Sequence, residues 1–359
     1  MDQAAIDALG NIPVPSQRHI INGQAVAASD GQEMEDLIDA HALELAVLGV
    51  RDNGTEIGMA LKAEPGSAAA TIRYYAEAID KDYGEIAPTQ DGFLGLIHKE
   101  PVGVVGAIIP WNFPLMIGAW KLAPALAMGN SVVLKPAETA SLSLMRLVEL
   151  AHEAGLPPGV LNAVTGEGPV VGEAMALSMD VDVLVFTGSG GTGRRLLTYA
   201  AQSNLKRVYL ELGGKSPNIV FADAPDLQEA AKVAAFGIFR NAGQVCVAGS
   251  RLLVEASIHD DFVAEVARVA EAMKVGNPLD ISTAIGVVNS ETQLRQNLQF
   301  VTTAVEEGGT IATGGGQLLQ ETGGYFMAPT IITDVAPKAT LAQQEVFGPV
   351  LAVTSFKDE

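Results

Sequence analysis

The stretch "VLVFTGSGGTG", residues 183 to 193, decides the fold class. Its first half is a continuous apolar run rich in Val and Phe, the composition of a strand covered on both faces. Its second half sets Gly188, Gly190 and Gly193 in a G-x-G-x-x-G pattern, and the spacing predicts a helix beginning near Gly193. Working outward, similar short runs recur at "VVGAII" (104–109), "SVVLK" (131–135), "VLNAV" (160–164) and "RVYLEL" (207–212), with "VDVLVF" (181–186) as the strand of the opening motif. Helical patterns separate them. Apolar strands alternating with helices imply a doubly wound α/β unit built on a parallel sheet. The helix after the second strand is well punctuated: Ser141 can cap it, Leu144, Leu147, Val148 and Ala151 recur at helical spacing, and Gly155 with Pro157 ends it.

Beyond Gly213 the pattern restarts, with helices expected at about 226–240, 260–273 and 291–307 and a strand at "RLLVEA". This reads as a second α/β domain. A length of 359 residues and 48% hydrophobic content allow a large core and about two domains. The net charge of −20 disfavours a nucleic-acid partner, which needs a basic face. No run is long and apolar enough for a membrane span, and the amino terminus lacks a signal layout, so the expected address is the cytoplasm. His19, His41, His98, His152 and His259 are scattered, and a single cysteine excludes a cysteine cluster, so no metal is expected.

That cysteine, Cys246, lies in "FRNAGQVCVAGSR" (239–251), where a helix gives way to glycine-flanked backbone. A lone cysteine is commonly a small buried hydrophobe. A catalytic thiol needs help, because its ordinary pKa of about 8.5 leaves little thiolate at neutral pH. Glu211 in "YLELGGKSPN" ends a strand, where open α/β sheets place their ligands, and can serve as a base. It also falls 18 residues after Gly193, where a Rossmann protein keeps its ribose-binding acid, so spacing gives it two incompatible roles. The stretch "IIPWNFPLMIGAWKLAPALAMGNSVVLKPAE" holds both tryptophans, Trp111 and Trp120, and puts Asn112 beside Pro114 where a helix can start. Lys135 and Glu138, in "LKPAE", are a cation and an acid able to grip a diol.

Taken in order, "PWNFP", "KPAE", "FTGS", "LELGGKSPN", "GQVCVAGSR" and "EVFGPV" resemble the motifs of the aldehyde dehydrogenase superfamily, over a match running from about Leu37 to the end. The resemblance implies that Cys246 is the nucleophile, Glu211 the base for the deacylating water, and Asn112 an oxyanion donor beside the Cys246 backbone N–H. Lys121 joins this catalytic set. It further implies that Lys135 and Glu138 hold the adenosine ribose of NAD, with NADP as an alternative cofactor. Trp111 and Ser189 approach the pyrophosphate, Gly188 and Gly193 belong to the cofactor-binding set, and Glu345 with Phe347 positions the nicotinamide end. Gly190 stands where a threonine is frequent in the family. The implied substrate is a small aldehyde, with a lean toward aminoaldehydes and an apolar tunnel from Phe113, Met116 and Trp120; the implied assembly is a homo-oligomer.

On this reading residues 1–82 and 101–212 form the dinucleotide-binding domain, 83–100 an oligomerisation hairpin, and 213–359 a catalytic domain incomplete at its C-terminus. A block of the family pattern is absent near Glu33 to Glu35, after the strand-like "INGQAVAASDG" (21–31). The alternative is a catalytically silent fragment or cofactor-binding remnant; a coenzyme A-acylating reaction is disfavoured because it needs no water-activating base. The two roles of Glu211 are separable. If it is the base, Glu211→Gln binds NAD normally and releases about one reduced cofactor per site before stalling as a thioester. If it is a ribose ligand, the same change weakens NAD binding roughly tenfold or more and leaves no burst, which titration calorimetry with stopped-flow absorbance distinguishes.

Overall fold

A computed structural model describes residues 2–11 and 31–358. Helices α1 (Gln3–Gly10), α2 (Gly31–Ala40), α3 (Ala42–Asn53), α4 (Ile57–Ala63) and α5 (Pro65–Ala78) precede an antiparallel ribbon of β1 (Glu85–Ala87) and β2 (Gly95–Ile97). Next come β3 (Val104–Ile108), α6 (Pro114–Ala127), β4 (Ser131–Lys135), α7 (Leu142–Glu153) and β5 (Leu161–Ala163). Then follow α8 (Glu173–Leu177), β6 (Val183–Gly188), α9 (Gly190–Gln202) and β7 (Arg207–Leu212). The remainder carries β8 (Pro217–Val220), α10 (Leu227–Phe239), β9 (Arg251–Glu255), α11 (His259–Ala272) and α12 (Glu291–Glu306). It ends with β10 (Thr310–Thr313), β11 (Gln317–Leu318), β12 (Phe326–Met327), β13 (Thr330–Thr333), α13 (Thr340–Gln343) and β14 (Val350–Phe356).

The chain divides into two compact units. In the first, the sheet runs β5-β4-β3-β6-β7, with parallel pairing from β5 through β6. The chain moves outward from β3 to β5, then returns to β6 beside β3. That reversal is a topological switch point, which opens a crevice at the strands' C-terminal ends. Gly106 on β3 packs tightly there: a Cβ would sit 3.0 Å from Leu184 and 3.1 Å from Met175. Around it Ile108, Met175, Ala176, Leu184, Phe186 and Leu196 form a buried cluster joining β3, α8, β6 and α9.

The second unit contains a sheet ordered β10-β13-β14-β9-β8, parallel except for β10 at its edge. Strand β14 is its buried centre, and Val350, Leu351, Ala352 and Val353 are fully enclosed. Neither β13 nor β14 is singled out by the sequence. The three expected helices appear as α10, α11 and α12, with Asp226 and Ser290 capping the first and last through N–H bonds from Glu229 (2.9 Å) and Gln293 (3.2 Å).

Several expectations shift. Helix α9 starts at Gly190, not near Gly193, because the Ser189 hydroxyl accepts the Thr192 N–H at 3.2 Å and begins the helix three residues sooner. Ser141 occupies the N-cap position of α7 but its side chain makes no capping bond. Residues 1–82 do not stay together: α1 and Val50–Ala60 belong to the second unit. Two bonds explain α1, since Gln3 donates to the Leu279 carbonyl at 3.0 Å and accepts from Ile281 N at 2.9 Å. The strand-like stretch 21–31 lies outside the described residues except Gly31, where α2 starts. Among the described residues no helix is long and apolar enough to cross a membrane.

Leu184→Ala removes a fully buried side chain from the cluster behind the crevice. The loss should be about 2 to 5 kcal/mol of unfolding free energy by denaturant titration, with an unchanged slope. A loss under about 1 kcal/mol would show that the cluster collapses to fill the space.

Candidate active site

The crevice of the first unit has a volume of about 390 Å³, within the range of small-molecule sites. Its polar wall brings together Trp111 after β3, Lys135 and Glu138 after β4, and Gly188 and Ser189 after β6. Five residues named from the sequence thus meet where the sheet reverses. Gly193 is buried inside α9 and does not line the crevice. Lys135 is 2% exposed, and its ammonium donates to the Pro136 carbonyl at 3.0 Å and lies 3.5 Å from Glu138. Burial pulls its pKa below the ordinary lysine value, and Glu138 pulls it back. Glu138 accepts the Gly168 N–H while remaining half exposed. Thr187 Oγ1 is buried with no hydrogen-bond partner among the described residues. A polar group bound in the crevice can supply the partner that this hydroxyl lacks there.

Asn112 is buried on the bend before α6, whose first position is Pro114. Phe113 supplies no cap there. Instead the buried Glu64 carboxylate accepts the Met116 N–H at 2.6 Å, placing an acid at the positive end of the helix. Lys121, one turn after Met116, lines a separate cavity of about 700 Å³ with Tyr209, Val183 and Val185. Its ammonium pKa is lowered by burial and partly restored by the charge of Glu211, so the two lie within electrostatic reach. Glu211 itself is exposed at the end of β7. Phe113 is buried, whereas Trp120 is 45% exposed.

In the second unit Cys246 is partly exposed, within a turn closed by Ala248 N donating to the Val245 carbonyl at 3.0 Å. Ahead of it Asn241, Ala242 and Gly243 take left-handed backbone, with φ of 50°, 49° and 73°. Left-handed backbone costs an alanine roughly 1 to 2 kcal/mol, so the turn needs outside support. Glu345 reaches the "LGG" segment: its carboxylate accepts Gly214 N at 3.2 Å and fills the space where a Gly213 side chain would stand. Burial raises the Glu345 pKa, opposed by that N–H and by Lys215. Lys215 is pushed down to about 8 by burial, then by Arg251, with Glu345 opposing. Phe347 is left-handed as well, at φ 56°, and Gln293 donates to its carbonyl at 3.2 Å.

Several residues escape the sequence reading. Thr187, Thr192, Arg195 and Tyr199 line the crevice. The G-x-G pattern beside them is the signal that could have found the first two. Glu64 and Glu56 carry no local signal, because each acts on backbone far away in sequence. Among the described residues, no group of three His, Cys, Asp or Glu side chains is placed to hold a metal ion.

The sequence profile described as "Aldehyde dehydrogenase family" matches residues 32–359. The chain is 50% identical over 327 residues to the NADP/NAD-dependent aldehyde dehydrogenase PuuC of Escherichia coli strain K12, covering 91% of this chain and 65% of that relative. Among solved structures, aldehyde dehydrogenase KauB from Pseudomonas aeruginosa superposes with a TM-score of 0.95 at 41% identity, over 100% of this chain and 83% of that one. Gamma-glutamyl-gamma-aminobutyraldehyde dehydrogenase from Burkholderia cenocepacia J2315 superposes with a TM-score of 0.94 at 39% identity, with the same coverage of 100% and 83%. The six motifs, the crevice at the switch point and these similarities agree: the chain belongs to the aldehyde dehydrogenase family.

Proposed function

We propose that this protein oxidises an aldehyde to a carboxylic acid with NAD or NADP, through a thiohemiacetal and then a thioester on Cys246. The observation that carries this reading is the crevice where Trp111, Lys135, Glu138, Gly188 and Ser189 converge. Its donors suit a dinucleotide. A buried cation beside a half-exposed acid matches a ribose diol, and Ser189 at the start of α9 offers a hydroxyl and helix N–H groups to a pyrophosphate. The unpartnered Thr187 hydroxyl adds a further polar contact. In this reading Glu345 and Phe347 support the nicotinamide end. A carboxylate at Glu138 disfavours a 2′-phosphate, so NAD is the preferred cofactor. The name of PuuC, NADP/NAD-dependent, supports keeping both. Similarity to a gamma-glutamyl-gamma-aminobutyraldehyde dehydrogenase supports an aminoaldehyde as substrate.

Bound in the crevice, the nicotinamide cofactor supplies the hydride acceptor. The Cys246 sulfur adds to the carbonyl carbon, forming a C–S bond while the carbonyl electron pair moves to oxygen. The Asn112 amide and the Cys246 backbone N–H donate to that oxyanion. Losing one such donor typically costs on the order of 10² to 10³ in rate. Once the carbon is oxidised to the thioester level, Glu211 takes a proton from the attacking water, the C–S bond breaks, and the acid leaves with the thiol regenerated. Lys121 contributes a positive charge beside Glu211.

Cys246→Ala should abolish NAD-dependent aldehyde oxidation, followed by absorbance of the reduced cofactor, with NAD affinity and melting temperature preserved. Normal oxidation by that variant would end the proposed mechanism. Lys135→Met keeps the buried stem but removes the ammonium, and should weaken NAD binding about ten- to a hundredfold by calorimetry. Unchanged affinity would remove the crevice as the cofactor site.

A further inference from the structure

The three left-handed residues ahead of Cys246 need explanation, since such a run persists only where its surroundings over-determine it. Hydrogen bonds from several segments hold it. The Thr55 hydroxyl donates to Asn241 Oδ1 at 2.7 Å, and Gln244 N donates to the Asn241 carbonyl at 2.9 Å. Gln244 Oε1 accepts from Asn289 N at 2.8 Å, and the Asn241 N–H donates to Glu56 Oε1 at 3.1 Å. Among the side chains in these four bonds, Glu56 is the ionisable one. It is 5% exposed, and its Oε2 is buried without a hydrogen-bond partner among the described residues. The segment bearing it is fixed in turn: Val287 N donates to the Gly54 carbonyl at 3.2 Å, and Ile57 N to the Pro278 carbonyl at 2.8 Å.

A carboxyl group in such a place is a costly way to satisfy backbone N–H groups, which a neutral amide would do without the desolvation of a charge. None of the steps assigned to Cys246, Asn112, Lys121 or Glu211 uses it. Burial raises its pKa to about 7, against the N–H groups of Asn241, Glu56 itself and Gly286 and the charge of Arg240, all of which favour ionisation. Arg240, on the turn, is the charged side chain that bears on it, and the Gly286 side contributes a backbone N–H. The ionised form is the stronger acceptor for the Asn241 N–H.

We propose that Glu56 is a positioning residue for Cys246: its carboxylate clamps the left-handed Asn241–Gly243 turn and thereby fixes where the following turn presents the thiol. The inference rests on Cys246 being the nucleophile of the proposed function. Raising the pH through the Glu56 titration tightens the clamp, and lowering it slackens the clamp. The same titration acts on stability with the opposite sense. The folded pKa of about 7 lies above the ordinary 4.5, so the group's stabilising contribution is full below about 4.5 and is lost as pH rises to about 7. Better thiol presentation therefore coincides with lower stability, which separates positioning from general structural support.

The test uses iodoacetamide, since Cys246 is the only thiol in the chain. Its alkylation rate is measured by mass spectrometry from about pH 6 to about pH 9 and divided by the thiolate fraction from the thiol's own titration. In the unaltered protein this corrected rate should step upward near pH 7. Glu56→Gln, which keeps an acceptor but cannot ionise, should give a flat profile about tenfold below the upper plateau, with an unshifted or higher melting temperature at neutral pH. An unaltered protein without the step, or a Glu56→Gln protein with the same rate and profile, would overturn the proposal. Should the variant fail to fold, the profile of the unaltered protein decides alone. Aldehyde oxidation is assayed in parallel. A pH step without oxidation retains the positioning role and removes the proposed function, whereas oxidation without the step does the reverse.

Discussion

The carbonyl of Gly348 lies against the backbone of Gly243 so closely that no side chain fits between them. This contact joins two motifs about a hundred residues apart, "GQVC" and "VFGP", into one structural object. It excludes a side chain at Gly243, and a Cβ on Gly348 would meet the Asn297 amide of α12. The same helix fixes the neighbouring backbone, because Gln293 donates to the carbonyls of Val346 and Phe347 at 3.0 and 3.2 Å. The left-handed turn before Cys246, the left-handed Phe347 and the carboxylate of Glu345 therefore share one rigid support.

Rigidity of this kind suits the role proposed for Cys246 as a nucleophile. A reacting atom displaced by about 1 Å can lose around a hundredfold in rate, so the backbone carrying it must have few alternatives. Here those alternatives are removed by buried polar groups, which are strong only when satisfied. Asn241 and Gln244 satisfy one another, and the acid among the group, Glu56, adds a dependence on pH to an otherwise fixed arrangement.

The cofactor-type unit solves a different problem. Its crevice comes from strand order, not from any single loop, because β3, β4 and β6 end side by side only when the chain reverses direction between β5 and β6. Lys135 is the demanding element. Its ammonium is removed from water, and the Pro136 carbonyl and the half-exposed Glu138 offset that loss. Glu138 keeps one side in solvent while accepting from Gly168, so it remains available to a hydroxyl ligand.

Much of this was legible in the chain. The five strands of the first sheet, α7 and the three long helices of the second unit follow from periodicity, and the motifs around Trp111, Lys135, Ser189, Glu211 and Cys246 follow from residue type and order. Both are local properties, carried by neighbours in the sequence. The start of α9 at Gly190 escaped because Ser189, a cap, sits inside what reads as a glycine turn. The crossing of α1 and Val50–Ala60 to the second unit escaped because bonds to Leu279, Ile281 and Val287 have no sequence signature. The sequence by itself determined the strands of the first sheet and the long helices, and it nominated the side chains proposed to carry chemistry. Only the tertiary structure decided that Lys135 is buried, that Thr187 Oγ1 has no hydrogen-bond partner among the described residues, and that the Glu56 carboxylate accepts the Asn241 N–H ahead of Cys246. Burial and hydrogen-bond satisfaction depend on what the rest of the chain brings close, and no local pattern records it.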